Sequence, residues 1–241
     1  MPPLFTKDLD HILSRTHNLW EEARRQRFFI TGGTGFFGVW LLESFCHINE
    51  RLGLGMSALV LTRDAARFAD KCPHLSGRGD LGFVEGDVRA FSLPEGDFSY
   101  VVHAATEASA KLNADAPEEM LNSIVDGTRR VLNLAAQAGT KKFLLTSSGA
   151  VYGRQPAEMT YIPEDYAGAP DPLLTASAYG EGKRVSEHMC AVHASRHGYE
   201  TKIARCFAFV GPHLPLDTNF AIGNFIRDAM AGGAIRVGGD G

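Results

Sequence analysis

Residues 28–45 read FFITGGTGFFGVWLLESF. Phe28, Phe29 and Ile30 form an apolar run. Gly32, Gly33, Gly35 and Gly38 crowd the positions after it, and a second apolar segment follows with helix-like spacing. A strand that hands over to a helix through so sharp a turn needs backbone angles that glycine adopts at little cost. Gly33, Gly35 and Gly38 satisfy GxGxxG; Gly32, Gly35 and Gly38 satisfy GxxGxxG; the physical demand is the same in either register. One position must lack a side chain so that a pyrophosphate can come close. The helix start then offers N–H groups and a partial positive charge to that anion, and the Phe36 and Phe37 N–H groups are expected to face it. The glycines follow an apolar strand directly and open a helix, so the stretch reads as a dinucleotide-binding turn rather than an ordinary glycine-rich loop. The Phe36 and Phe37 rings are expected to pack the first helix.

Outward from this turn the same alternation repeats. Short apolar runs recur at 27–31, 58–62, 82–85, 100–104, 142–147 and 202–207, and helical patterns at 38–46, 117–138 and 178–197 lie between most of them. Strands alternating with helices imply parallel strands joined by crossovers. The expected class is α/β, a doubly wound parallel sheet of the Rossmann kind. Leu9, Ile12, Leu13 and Leu19 at helical spacing predict one amphipathic helix over 8–25. Segments 153–172 and 210–219, rich in Gly and Pro, read as loops. The organisation expected is a helical extension over 1–26, an NAD(P)-binding domain over 27–209, and the start of a small substrate-binding region over 210–241.

Composition narrows the function. The apolar fraction of 44% and charged fraction of 22% are those of a soluble globular protein. Net charge is 24 − 28 = −4, which argues against nucleic acid or an anionic membrane as partner. Cys46, Cys72, Cys190 and Cys206 form no CxxC pair, and the nine histidines show no HxH or HExxH spacing, so neither a disulfide framework nor a metal is expected. The N-terminus carries acids and no long apolar core, and no run is long enough to span a bilayer. A cytoplasmic location is the expectation.

The end of the second strand should read the adenosine ribose: an acid suits a free 2′-hydroxyl, an arginine a 2′-phosphate. Here it reads LVLTRD. Thr62 takes the tip and Arg63 follows, favouring NADP over NAD; Asp64 stands where a helix from Ala65 would be capped. Downstream, SAYGEGKRVSEH places Tyr179 and Lys183 four apart, one turn along a helix face. A nearby ammonium is expected to lower the phenol pKa, so that Tyr179 can move a proton at a carbinol or carbonyl while a nicotinamide carries the hydride. FLLTSSGAVYG ends an apolar strand in Ser147 and Ser148, at the edge where such sheets bind ligands. His103, also at a strand end, is expected to satisfy a local hydrogen bond rather than act as a base.

The motifs TGGTGFFG, GDV at 86–88, VVHAA at 101–105, N…GTRRVL from 122 to 132, TSSGAVYG, YGEGK and ARCFAFVGP at 204–212 occur in this order over nearly the whole length. In this the chain resembles the extended short-chain dehydrogenases/reductases of the NAD-dependent epimerase/dehydratase family. The resemblance implies Asp87 and Val88 at the adenine, Ala104, Ala105 and Thr106 along the cofactor, Asn122 among the cofactor contacts, and Thr146 and Phe207 beside the nicotinamide. It implies a catalytic trio of Ser148, Tyr179 and Lys183, with Lys183 also on the nicotinamide ribose. It further implies nucleotide-linked sugars as substrates and a homodimer through helices 117–138 and 178–197. Two positions depart from the pattern. Gly149 and Ala150 stand where 4,6-dehydratases of the family carry an Asp-Glu pair, which favours an epimerase or ketoreductase. Ala208 replaces a common Asn. The chain stops at Gly241 where members of the family continue, so the substrate-binding part is expected to be incomplete. The competing expectations are a reductase of a non-sugar carbonyl and a non-catalytic dinucleotide sensor or scaffold.

Overall fold

A computed structural model of the chain describes residues 1–106, 109–217, 221–235 and 237. The chain divides into two compact units, Met1–Cys206 and Phe207–Gly241.

The first unit is built on six strands: β1 (Arg27–Thr31), β2 (Ser57–Thr62), β3 (Leu81–Glu85), β4 (Tyr100–His103), β5 (Lys142–Ser148) and β6 (Glu200–Cys206). Its helices are α1 (Thr6–Thr16), α2 (Phe36–Leu52), α3 (Ala65–Lys71), α4 (Pro73–Ser76), α5 (Ala110–Asp115), α6 (Pro117–Gln137) and α7 (Ala178–His197). The strand order is β3-β2-β1-β4-β5-β6 and every pairing is parallel. This is the doubly wound sheet expected from the alternation of runs. The order reverses between β1 and β4, and that is where such sheets open a crevice beyond their carboxyl ends.

β1 is buried on both faces, as a central parallel strand must be. Phe28 and Ile30 pack with Val39, Leu42, Phe45 and Ile48 of α2. Phe29 points the other way, into Phe91, Phe98, Val101 and the α6 residues Val131 and Leu134. Phe28 is held between Phe45, edge-on at 5.3 Å, and Tyr100, stacked at 4.6 Å. The two apolar layers fix the register, because a one-residue slip would exchange them.

Strand and helix ends shift by a few residues from the sequence reading; α2, for example, runs on to Leu52, where Gly53 adopts a left-handed cap. The larger correction concerns 8–25. The regular helix ends at Thr16, and two short 3-10 turns, His17–Leu19 and Glu21–Ala23, carry the chain to β1. Thr16 turns its hydroxyl back onto the Ile12 carbonyl and accepts the Trp20 indole N–H, a local arrangement that competes with helix. Leu19, placed on the apolar face by its spacing, is 68% exposed.

In the second unit, α8 (Ala221–Met230) is the described helix. Arg227 pairs with Asp228 and donates to the Leu216 carbonyl. Residues 210–217 contain neither helix nor strand; 218 and 219 lie outside the described residues. Among the described residues, no helix is long and apolar enough to cross a membrane.

Candidate functional site

The carboxyl ends of β1 to β4 enclose a crevice of about 310 Å³. Gly32, Thr34 and Gly35 of the first turn line it, with Thr62 and Arg63 after β2, Gly86, Asp87 and Val88 after β3, Ala104, Ala105 and Thr106 after β4, and Ser123 of α6.

The glycines of the turn serve different ends. Gly32 has φ +74°, and a side chain there would come within 2.5 Å of the Ala104 backbone. A side chain on Gly38 would collide with the Gly32 carbonyl, so α2 sits directly on the turn. Gly35 differs: its backbone is extended, with φ −81°, and a Cβ there would find its nearest neighbour at 3.5 Å. The fold tolerates a side chain at Gly35, yet the position faces the crevice at the start of α2. A bare backbone at the N-terminus of a helix fits a pyrophosphate. The residues therefore fit a dinucleotide. Phe36 and Phe37 open α2 and are half-buried.

Beyond β2, Asp64 caps α3, its carboxylate accepting the Arg67 N–H at 2.8 Å. The Ala65 N–H goes to Glu85 at 2.9 Å. Asp87 pairs with Arg89 at 3.0 Å, and Arg89 also reaches Glu119 at 2.6 Å; the Arg89 guanidinium holds the Asp87 carboxyl below its ordinary pKa. Of the other cofactor positions read from the sequence, Gly33 is buried against Val60, Asn122 is exposed while its neighbour Ser123 lines the crevice, and Phe207 belongs to the second unit.

Lys183 is 2% exposed. Its ammonium donates to Thr106 Oγ1 at 2.6 Å and to the Thr146 carbonyl at 2.7 Å, joining α7 to the crevice wall and to β5. Burial pushes its pKa down to about 8. Tyr179, one turn earlier, behaves differently from expectation. Burial raises its pKa above the ordinary value, the Ser148 hydroxyl opposes this by hydrogen bonding, and the Cys206 thiol adds to the rise. The causes that set this balance are burial, Ser148 and Cys206, while the Lys183 ammonium bonds Thr106 and Thr146. Ser148 also accepts the Ala150 N–H at 3.2 Å. Its neighbour Ser147 donates to Glu187 at 2.5 Å, and Glu187 pairs with Arg205 at 2.8 Å, tying the tip of β5 to α7 and β6. Gly149 and Ala150 follow in a short 3-10 turn and bring no titratable group.

The sequence reading does not single out Thr34, Ser123 or Asn113 as site residues. Thr34 lies within the glycine stretch itself, so its place in the wall was open to reading. Asn113 had no local signal: it accepts the Tyr179 N–H at 3.0 Å and donates to the Ala176 carbonyl at 2.8 Å, fixing the start of α7 from more than sixty residues away.

A doubly wound sheet, a glycine-turn crevice at its switch point, and a hydroxyl, a phenol and a buried amine on the tip of β5 and the first turns of α7 define a class of α/β proteins. The chain belongs to the NAD dependent epimerase/dehydratase family, whose model matches residues 28–241. Among curated relatives, UDP-glucuronic acid decarboxylase 1 of Danio rerio is 31% identical over 221 residues, 91% of this chain and 50% of that protein. UDP-glucuronic acid decarboxylase 5 of Arabidopsis thaliana is 32% identical over 211 residues, 88% of this chain and 59% of that protein. The chain thus spans about half the length of the curated relatives it matches. Two solved structures share the fold. UDP-glucuronic acid 4-epimerase from Bacillus cereus, in complex with UDP-glucuronic acid and NAD, is 21% identical with a TM-score of 0.73 over 90% of this chain and 67% of its own. The dTDP-glucose 4,6-dehydratase DesIV from Streptomyces venezuelae, with NAD bound, is 23% identical with a TM-score of 0.75 over 90% and 66%.

Proposed function

We propose that this chain is the nucleotide-binding and proton-transfer part of an NAD(P)-dependent enzyme that modifies a nucleotide-linked sugar. The observation that carries the proposal is a Ser148–Tyr179 hydrogen bond one helical turn from Lys183, whose ammonium reaches Thr106 on a crevice whose Gly35 wall is bare without structural need. Bound in that crevice, a nicotinamide would accept a hydride from a sugar carbinol and return it. Gly32, Gly35 and the start of α2 would hold the pyrophosphate. Lys183 would keep Thr106 and the end of β5 in place and direct its remaining N–H toward a ribose. Tyr179, neutral because burial raises its pKa, would donate a proton to a substrate oxygen in the reduction direction, with Ser148 orienting the phenol.

UDP-glucuronic acid is the first substrate to test, because the curated relatives above carry it in their names. Gly149 and Ala150 support epimerisation, ketone reduction or decarboxylation over water elimination. Elimination needs an acid and a base beside the trio, whereas a keto group β to a carboxylate lets carbon dioxide leave without either. For the cofactor, the tip of β2 supports NADP. Thr62 replaces an acid, Asp64 is engaged in its cap, and Arg63 lines the crevice. A homodimer through α6 and α7 remains part of the proposal.

The deciding experiment incubates the protein with NAD or NADP and UDP-glucuronic acid, and follows reduced cofactor and sugar product. Tyr179→Phe should abolish turnover and leave nucleotide affinity within about twofold, the phenol oxygen being needed for the proton and not for binding. Turnover equal to the unmodified protein would remove Tyr179 from its role.

A further inference from the structure

His103 sits at the end of β4 in a chain of buried side chains. Thr31 Oγ1 lies 2.8 Å from His103 Nδ1 and accepts the Ala105 N–H at 3.1 Å. Across the ring, His103 Nε2 is 3.2 Å from Thr128 Oγ1. Thr128 donates to the Ile124 carbonyl at 2.8 Å and meets Ser186 Oγ at 2.9 Å. Thr31, His103, Thr128 and Ser186 are at most 3% exposed.

With the Thr128 hydroxyl donating to the Ile124 carbonyl, one order of protons satisfies the chain. Thr128 spends its proton on the Ile124 carbonyl, so its oxygen accepts from the ring and from Ser186. Nε2 therefore carries the ring proton, and Nδ1 accepts from the Thr31 hydroxyl. The Thr31 oxygen keeps a lone pair for the Ala105 N–H. A second ring proton would sit on Nδ1 against the Thr31 hydroxyl and break this order. Burial holds the ring neutral, and the Lys183 ammonium works in the same direction.

We propose that His103 is a positioning residue of the crevice: as a neutral relay it aims the Thr31 hydroxyl so that Ala104 and Ala105 are held against Gly32, on the wall where the dinucleotide lies. The far end of the relay is anchored on α6 and on Ser186 of α7, three residues beyond Lys183. The same bonds thus set the crevice wall relative to the helix that carries the ammonium. In its ligand-dependent arm the inference rests on the dinucleotide reading of the crevice.

Two readouts test it. The first needs no ligand: hydrogen exchange of the Ala105 amide, followed by NMR. Thr31→Val and His103→Leu should each accelerate it about fivefold or more, the loss of one hydrogen bond. His103→Gln, whose amide offers an accepting oxygen and a donating nitrogen, should stay near the unmodified rate. The second is NADH and NADPH affinity in a double-mutant cycle. Thr31→Val and His103→Leu should each weaken binding about fivefold, with the double variant no weaker than the worse single one. Additive losses, an unchanged Ala105 amide in Thr31→Val, or a His103→Gln variant that behaves like His103→Leu would overturn the relay. If the unmodified protein binds neither nucleotide, the dinucleotide reading fails while the exchange arm still decides the relay. If His103→Leu does not fold, Thr31→Val and His103→Gln decide it.

Discussion

At the scale of single residues, the turn after β1 separates two uses of glycine. Gly38 is demanded by the fold, since a methyl there would strike the Gly32 carbonyl. Gly38→Ala should cost about 2–3 kcal/mol, as overpacking against backbone does. Gly35→Ala should change stability by less than about 1 kcal/mol, since its backbone is ordinary and its surroundings open, while abolishing nucleotide binding. Urea unfolding beside nucleotide titration separates the two, and a Gly35→Ala protein that bound nucleotide normally would count against the pyrophosphate site. Lys183 shows the cost of a functional charge. Its pKa falls from 10.5 to about 8, which is roughly 3 kcal/mol against the charged form in the fold. Between those two values the unfolded chain holds a proton that the native state has released. Stability from this group therefore rises as pH goes from about 8 to 10.5. Lys183→Met should abolish turnover and lower stability at pH 7 by no more than about 3 kcal/mol, since relief of the charge offsets part of the loss of two charge-assisted hydrogen bonds worth about 1.5–3 kcal/mol each. Calorimetry checks this, and a larger loss would show that relief of the charge offsets little of the bonds. His103, with its pKa pushed down to about 3, works in the acid range. Its stabilising effect is full above 6.5 and is lost as pH falls toward 3. His103→Gln should flatten that part of the stability profile; a profile that kept its slope would place the acid sensitivity elsewhere.

At the scale of elements, the close approach of α6 and α7 controls where the amine sits. A Cβ on Gly182 would meet three atoms of Ile124 at 3.2–3.3 Å. Gly182→Ile should therefore wedge the helices apart and cost about 1–3 kcal/mol, with turnover falling further because Lys183 is the next residue. Equilibrium unfolding with parallel activity measurements tests this; a variant of unchanged stability would mean that the pair repacks freely. The helix at the N-terminus shows where periodicity misleads. Ile12 and Leu13 do pack against the core that α2 lines, and Leu9 is buried, but the pattern runs on into 17–25, where Thr16 and Trp20 bond each other and the chain prefers short turns. Apolar spacing reports which residues want burial and not whether the backbone stays regular. The Tyr–Lys spacing was equally legible, but its electrostatic consequence was not. Whether Lys183 faces Tyr179 or Thr106 depends on strand ends brought beside it by the sheet.

At the scale of the whole molecule, the described residues that line the crevice all belong to the first unit, so nucleotide binding should stabilise that unit as a whole. A nucleotide present at 100 times its Kd adds about 2.7 kcal/mol. For a domain of this size that is a rise in Tm of roughly 5–10 °C. Comparing NADH with NADPH, and repeating the comparison in Arg63→Ala, measures the cofactor preference directly. A larger shift with NADH, unaltered in Arg63→Ala, would assign the tip of β2 to NAD.

The sequence by itself determined the alternation of runs, the doubly wound sheet, the glycine turn and the positions of Ser148, Tyr179 and Lys183. These are set by local periodicity and by short motifs whose demands fall within a few residues. Only the tertiary structure decided that Gly35 is bare without structural cause, that Asn113 fixes the start of α7, that Lys183 turns to Thr106 and Thr146, and that His103 joins Thr31 to Thr128. Each of those depends on strands and helices far apart in the chain coming within hydrogen-bonding distance. Burial then lowers the pKa of Lys183 and of His103 and raises that of Tyr179.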